Sequence, residues 1–306
     1  MNRRLIIISV LVVGLIFLFS YLIGGRIFSS DKAAHRSSIR AKFIRNNASN
    51  LVGKGELDKA IERYKQLVLR FPNSQEAGEA WFALGELYVR KNDTLEAKNS
   101  YQMVVTNFPN TKFISEAQTK LGELNMKILF SPLVTTQSQS YEVKTGDTLV
   151  KIAANFNTTV ELIKRSNNLK DDRIKPGMKL KIWTGKFTFV VDKSQNSLTL
   201  KSNEEVMKIY RVSTGKDNFT PIGTFKIDTK LIDPPWKGIP PGDPRNILGS
   251  RWLGFAEPFK NYGIHGTIDP ESIGKHVTQG CVRMLNLDVE ELYTILPIGT
   301  EVTIVE

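Results

Sequence analysis

The sequence predicts a multidomain chain: an N-terminal transmembrane helix, an α-helical repeat domain, a small β-α-α-β module and a mainly β C-terminal domain. Three features carry that expectation: an uncharged run from Leu5 to Ile23, a helical pattern that returns after 37 residues, and Gly- and Pro-punctuated alternation beyond residue 185. The 306 residues are enough for about two domains or several small ones. With 41% hydrophobic and 24% charged residues, a disordered, collagen-like or polytopic membrane chain is excluded. Lys and Arg outnumber Asp and Glu by 42 − 31 = 11. The single cysteine rules out an intrachain disulfide and zinc sites built on several thiolates, and three histidines leave little for other transition metals.

The run from Leu5 to Ile23 would extend about 28 Å as a helix, enough to cross a bilayer core. Arg3 and Arg4 precede it and favour the cytoplasmic side, which places the bulk of the chain outside the cytoplasm, in a periplasm or cell wall. Ser20 and Gly24-Gly25 are poor matches to a signal-peptide cleavage site. Residues 1–30 therefore read as a cytoplasmic stub and an uncleaved membrane anchor. Outside the cytoplasm a basic chain meets lipid head groups and envelope polymers rather than nucleic acid. Lys32, Arg36, Arg40, Lys42 and Arg45, opposed only by Asp31, read equally as a lipid-facing strip or a solvated helix face.

Residues 31–132 read as helices. Leu57, Ala60, Ile61, Tyr64, Leu67, Val68 and Phe71 fall on one helical face. The pattern recurs: Ala60 and Tyr64 match Ala97 and Tyr101, Phe71-Pro72-Asn73 matches Phe108-Pro109-Asn110, and Leu84-Gly85-Glu86-Leu87 matches Leu121-Gly122-Glu123-Leu124. Small residues allow close helix packing and the prolines stop each helix. The period and these residues resemble tetratricopeptide repeats. Ile39, Phe43, Ile44, Ala48 and Leu51 are expected to line a flanking helix. The repeats read as a docking surface for a protein partner, with a plain spacer as the alternative.

The polar run within residues 133–140 reads as a linker. In residues 141–184, Tyr141 to Val143 alternates like a strand, Asp147 is expected to cap a first helix, and Thr158 with Glu161 has capping-box spacing for a second. Pro176-Gly177 turns into a last strand, Lys179 to Trp183. This order, with Gly146-Asp147-Thr148-Leu149, Asn167-Asn168 and Ile174-Lys175-Pro176-Gly177, resembles a LysM domain. The resemblance implies binding to glycan strands such as those of peptidoglycan, through Gly146, Asp147, Thr148 and Ile174.

Residues 185–306 alternate at Phe187, Phe189 and Val191 and again at Leu198 and Leu200, and Val206, Ile209, Val212, Phe225 and Ile227 continue the β signal. The lone thiol lies in Thr278-Gln279-Gly280-Cys281-Val282-Arg283, open on its own to three readings: an inert residue, an intermolecular disulfide partner or a nucleophile. Gly280 lets backbone approach a substrate, neighbouring N–H groups suit an oxyanion hole, and Arg283 favours thiolate or holds a carboxylate. Of the histidines, His35 reads as a surface residue and His276 as near enough to approach the thiol. His265 is set between glycines in Tyr262-Gly263-Ile264-His265-Gly266-Thr267, sixteen residues before Cys281, and suits the base.

His265-Gly266-Thr267 followed by Gly280-Cys281-Val282-Arg283-Met284 resembles the L,D-transpeptidase catalytic domain. Ser213-Thr214-Gly215, Thr220-Pro221-Ile222-Gly223-Thr224-Phe225 and Asn246 to Trp252 fit as well, so the resemblance spans 185–306. It implies that Cys281 attacks the third-residue carbonyl of a tetrapeptide stem and expels the terminal D-alanine. His265 would serve as general base and acid, the Gly266 carbonyl would orient it, and Gly280 would belong to the oxyanion hole. Arg283 would bind substrate or order the loop. An amine acceptor gives a 3→3 cross-link; water gives an L,D-carboxypeptidase, and a non-catalytic envelope scaffold is the alternative of another class. No cofactor is expected. Gln279 departs from members that carry His or Lys before the Gly-Cys pair. Trp236, Trp252 and Tyr262 read as core aromatics, with cleft lining as the alternative.

Overall fold

The computed structural model describes residues 35–306. The anchor expected at Leu5–Ile23 lies outside them, and among the described residues no helix is long and apolar enough to cross a membrane. The chain divides into two compact units, one ending at Ala117 and one running from Gln118 to Glu306.

The first unit contains α1 (35–53), α2 (Leu57–Arg70), α3 (Gln75–Arg90), α4 (Thr94–Asn107) and the start of α5 (Ile114–Leu129). α2 turns Ala60, Ile61, Tyr64, Leu67 and Val68 inward, as its periodicity predicts. Phe71 and Phe108, each preceding a proline, leave the helical region at φ −134° and −131° and end α2 and α4. A Cβ on Gly85 would lie 2.6 Å from the Tyr101 ring, and one on Gly78 2.9 Å from Phe108. Glycine and aromatic of the repeat are thus two halves of one contact. On α1 the expected face is met at Ala48 but not at Ile39 and Phe43. Ile39 and Phe43 are exposed, while Ala41 and Ala48, two turns apart, are fully buried where only a small side chain lets helices close up. Arg45 pairs with Glu79 on α3 at 2.6 Å, so that member of the basic strip faces protein.

In the second unit, β1 (Ser138–Glu142) and β2 (Lys179–Trp183) pair antiparallel around α6 (Leu149–Asn155) and α7 (Val160–Ser166). Val143, Leu149, Ile152, Ala153, Ile163, Leu180 and Ile182 form this module's own core. The caps fall one residue later than expected. Thr148, not Asp147, accepts from Lys151 N–H, and Thr159, not Thr158, accepts from Leu162 N–H. Asp147 closes the preceding turn instead, accepting from Lys144 N–H and the Tyr141 hydroxyl, both at 2.8 Å. The run read as a linker is fixed in place: β1 begins within it, and Gln137 bonds Ser202 at 2.5 Å and Glu205 at 2.6 Å.

The C-terminal part is built on an eight-stranded mixed sheet. Its strands are β3 (Phe187–Asp192), β4 (Ser197–Ser202), β5 (Glu205–Arg211), β7 (Gly223–Ile232), β8 (Arg251–Phe255), β9 (Gly263–His265), β11 (Val282–Arg283) and β12 (Glu301–Val305). The spatial order is β11-β9-β8-β7-β12-β3-β4-β5, and β6 (Thr214–Gly215) with β10 (His276–Thr278) forms a separate parallel pair. Phe187, Phe189, Val191, Leu198 and Leu200 face the core as their alternation predicts. On β5, Val206 and Ile209, part of the β signal, are exposed and Met207 and Tyr210 are buried. A bulge between Leu200 and Lys201 leaves Met207 as the extra residue and rotates the strand. α8 (Asn286–Ile295) packs on β8 and β9.

The large core also takes Met126 and Leu129 from α5 and Leu162 and Trp183 from the β-α-α-β module. Lys181 fixes this junction. It is 3% exposed, and its ammonium donates to the carbonyls of Ile128, Leu129 and Ser131 at 2.6, 3.2 and 2.8 Å. A cation there complements the negative end of α5. Burial pulls its pKa down to about 8, so it stays mostly charged at neutral pH. Lys181→Met would remove the donor that Leu129 and Ser131 share, while Ile128 keeps the Ser131 N–H and hydroxyl. The expected result is a loss of about 2 kcal/mol in urea unfolding, and an unchanged midpoint would disprove the role.

Candidate active site

Strand register brings the two chemical halves of the site together. β11 pairs parallel with β9, with Val282 opposite Ile264 and Arg283 opposite His265. Ile264 and Val282 are fully buried in the core. Alternation turns their neighbours Cys281, Arg283 and His265 to the other face. β8 pairs Leu253 with Ile264 and Trp252 with His265, so Trp252 shares that face and stacks on the imidazole, ring centroids 6.0 Å apart. These four side chains line one cavity of about 660 Å³.

His265 is 2% exposed, and its Nδ1 lies 2.6 Å from the Gly266 carbonyl oxygen. A carbonyl only accepts, so Nδ1 carries the proton and Nε2 is the free lone pair. Burial pulls the imidazole pKa down to about 4, with the Arg283 charge adding to it and the carbonyls of Gly266 and Leu248 opposing. The Gly266 carbonyl is itself held: Asn286 Oδ1 accepts from Ser250 N–H at 3.1 Å and Thr267 N–H at 3.0 Å. A Cβ on Gly266 or Gly249 would collide with Asn286 Oδ1, so both glycines are sterically required.

Cys281 is partly open to the cavity while its sulfur sits among protein atoms, 3.9 Å from the Asn261 carbonyl. Burial pushes the thiol pKa up to about 11, opposed by the Gly263 backbone and the Arg283 charge. The thiol and the imidazole are therefore both neutral in the resting site.

The turn before Cys281 differs from the expected arrangement in one respect. Gly280 N–H donates to Thr278 Oγ1 at 3.2 Å, and Thr278 Oγ1 in turn donates to the Cys281 carbonyl at 2.7 Å. The Gly280 amide is thus committed to the turn and is not a standing oxyanion donor. Its glycine is required for another reason: at φ +121° a Cβ would collide with the Tyr262 ring. Arg283 Nη1 donates to Ser272 Oγ at 3.0 Å, while its buried Nε has no partner among the described residues.

His276 does not reach the thiol; its ring nitrogens meet Thr214 Oγ1 at 2.8 Å and Asn196 Nδ2 at 3.2 Å. Trp236, Trp252 and Tyr262, read as core with cleft lining as the alternative, line the cavity, Tyr262 while also packing against the core, and exposed Gln279 lines it too. Asn286 and Thr278 escaped the sequence reading, because each acts through backbone far away or inside its own turn and neither carries a local pattern. In the β-α-α-β module, Gly146 adopts φ +85° and Asp147 and Thr148 are occupied in building the first turn, whereas Ile174 packs against the module's core.

The chain matches the L,D-transpeptidase catalytic domain over residues 186–304, the LysM domain over 141–183 and the tetratricopeptide repeat over 48–74 and 79–111. It is 38% identical over 172 residues to the putative L,D-transpeptidase YkuD of Bacillus subtilis, covering 54% of this chain and 98% of that one. It is 42% identical over 123 residues to the putative L,D-transpeptidase YqjB of the same organism, covering 38% of this chain and 70% of that one. Among solved structures, an L,D-transpeptidase from Mycobacterium smegmatis aligns at 21% identity and a TM-score of 0.35, over 42% of this chain and 64% of that one, a little under two thirds of its length. With a relative matched over almost its whole length, and with a thiol and an imidazole on one cavity, the chain belongs to the L,D-transpeptidase family, a member that joins the catalytic domain to a LysM domain and tetratricopeptide repeats.

Proposed function

We propose that this enzyme, anchored by its N-terminal apolar run with the remainder outside the cytoplasm, forms 3→3 cross-links between peptidoglycan stem peptides through a cysteine acyl-enzyme. The observation that carries the reading is Cys281 and His265 on one cavity, with the imidazole tautomer set by the Gly266 carbonyl. The LysM module holds glycan at its first turn, around Gly146, Asp147 and Thr148, and at the loop of Ile174. The helical repeats dock a protein partner.

With the thiol near 11 and the imidazole near 4, a resting thiolate–imidazolium pair is disfavoured. The proton therefore moves as the bond forms. Cys281 Sγ attacks the third-residue carbonyl while His265 Nε2 takes the thiol proton. The carbonyl oxygen becomes an oxyanion, met by the Cys281 N–H, since Gly280 is committed to Thr278. Collapse breaks the bond to the terminal D-alanine, and the imidazolium returns its proton to that leaving amine. The acceptor amine then attacks the thioester, its proton passes through His265, and the departing sulfur recovers it. Water in the acceptor's place gives the carboxypeptidase product.

Incubation with disaccharide-tetrapeptide and mass analysis test the reading directly. A cross-linked dimer lacking one D-alanine is expected, a tripeptide alone would replace cross-linking with hydrolysis, and unaltered substrate would refute the enzymatic reading. Cys281→Ala is expected to abolish turnover and leave glycan binding intact.

The pH dependence has a defined sign. Activity requires neutral imidazole and is lost as pH falls through its pKa near 4, and the thiol ionises only near 11. kcat/KM is therefore expected to be flat from about pH 5.5 to 9. Alkylation of Cys281 by iodoacetamide should rise steadily across that range. A titration near neutrality would instead reveal an ion pair at rest. Asn286→Ala releases the Gly266 carbonyl and is expected to lower kcat by about 10²-fold, read as D-alanine release.

A further inference from the structure

The cavity around Cys281 carries charge of one sign. Lys237, Lys260 and Arg283 line it, and no Asp or Glu does among the described residues. The three cations are held differently. Arg283 is half-buried and tied to Ser272. Lys237 sits at the tip of a tight turn in which Trp236 and Ile239 exchange backbone hydrogen bonds at 2.9 and 2.8 Å, and its ammonium lies 5.0 Å from the Trp236 ring centroid. Lys260, on the β8–β9 connection, pairs with Glu257 at 2.7 Å, but both side chains are about two thirds exposed, so water screens that pair. Cations along a low-dielectric wall of Trp236, Trp252 and Tyr262 focus an attractive field for anions.

We propose that the cavity selects acyl-donor stems whose third-residue side chain ends in a free carboxylate over stems whose third residue offers only an ammonium. This rests on the reading of Cys281 as the nucleophile. The third residue supplies the carbonyl under attack, so its side chain leaves from the reacting centre and lies within reach of the cavity walls. A carboxylate there meets three cations on a lining without a carboxylate of its own, whereas an ammonium without one meets like charge on that lining. Every donor also carries the terminal D-alanine carboxylate, so that attraction cancels when donors are compared. The rim lysines bind ground state and transition state alike, which places their effect in KM.

The test uses the full chain in detergent and three disaccharide-tetrapeptides that differ only at the third side chain. One carries meso-diaminopimelate, whose side chain ends in a carboxylate and an ammonium. The others carry its side-chain amide and L-lysine, which keep the ammonium without the carboxylate. Release of D-alanine reads donor use whatever the acceptor. The carboxylate donor is expected to show a kcat/KM at least about tenfold above both others, about 1.4 kcal/mol. The preference should shrink as salt rises from about 50 to 500 mM. The double substitution Lys237→Gln and Lys260→Gln should narrow it to about threefold by raising KM for the carboxylate donor. Equal use of the three donors, or a preference that survives the double substitution, would overturn the proposal alone. Release from none of them would overturn the reading of the site and the proposal with it.

Discussion

The parallel pairing of β9 with β11 is the constraint on which the site depends. Two residue pairs suffice: placing Val282 beside Ile264 and Arg283 beside His265 sends two side chains into the core and the others out to the cavity. A slip of one residue would reverse every one of these directions and bury the thiol under the sheet. The register is locked from both sides. Ile264 and Val282 anchor the inner face, and the antiparallel partner β8 stacks Trp252 on the imidazole at the outer one. Asn286 then ties the backbone after β9 to the backbone before β8, fixing the carbonyl that sets the imidazole tautomer.

That packing has an electrostatic consequence. The same burial that orients His265 pulls its pKa down, and the same enclosure pushes the Cys281 thiol up, so the order of the site and the neutrality of both groups share one cause. A neutral thiol is a weak target for stray oxidants and alkylators. Arg283 lies on the same cavity and lowers both groups, helping the thiol ionise while discouraging the imidazolium.

Much of this was legible in the chain. Period-2 alternation marked β3 and β4, helical periodicity marked α2, and glycines around His265 and before Cys281 marked backbone without room for a side chain. What escaped reading depended on partners distant in sequence. Trp236, Trp252 and Tyr262 look like core aromatics by type, and only the strand register and the loops turn them to a cavity. The Gly280 amide looked free until Thr278, two residues earlier, claimed it. Val206 and Ile209 carried a sound β signal and β5 forms there, but which residues it buries was not legible, because a bulge shifts its phase without leaving a mark in composition. The helix caps at Thr148 and Thr159 were misplaced by one residue because two adjacent polar residues competed for each position.

The bulged strand is also covered by the part of α5 that follows Ala117. β5 is the last strand of its sheet, and such an edge invites pairing with another chain. Gly122 stands where Gly85 does one repeat earlier, but a Cβ there would lie 3.1 Å from the Lys208 side chain on β5, where the earlier glycine meets Tyr101. Buried Asn125 donates to the β5 carbonyls of Met207 at 3.0 Å and Val206 at 3.4 Å. The last turns of α5 thus cover the open edge of β5. Because Lys181 fastens the end of the same helix to the LysM module, α5 from Gln118 onward is a structural part of the unit that carries the catalytic domain.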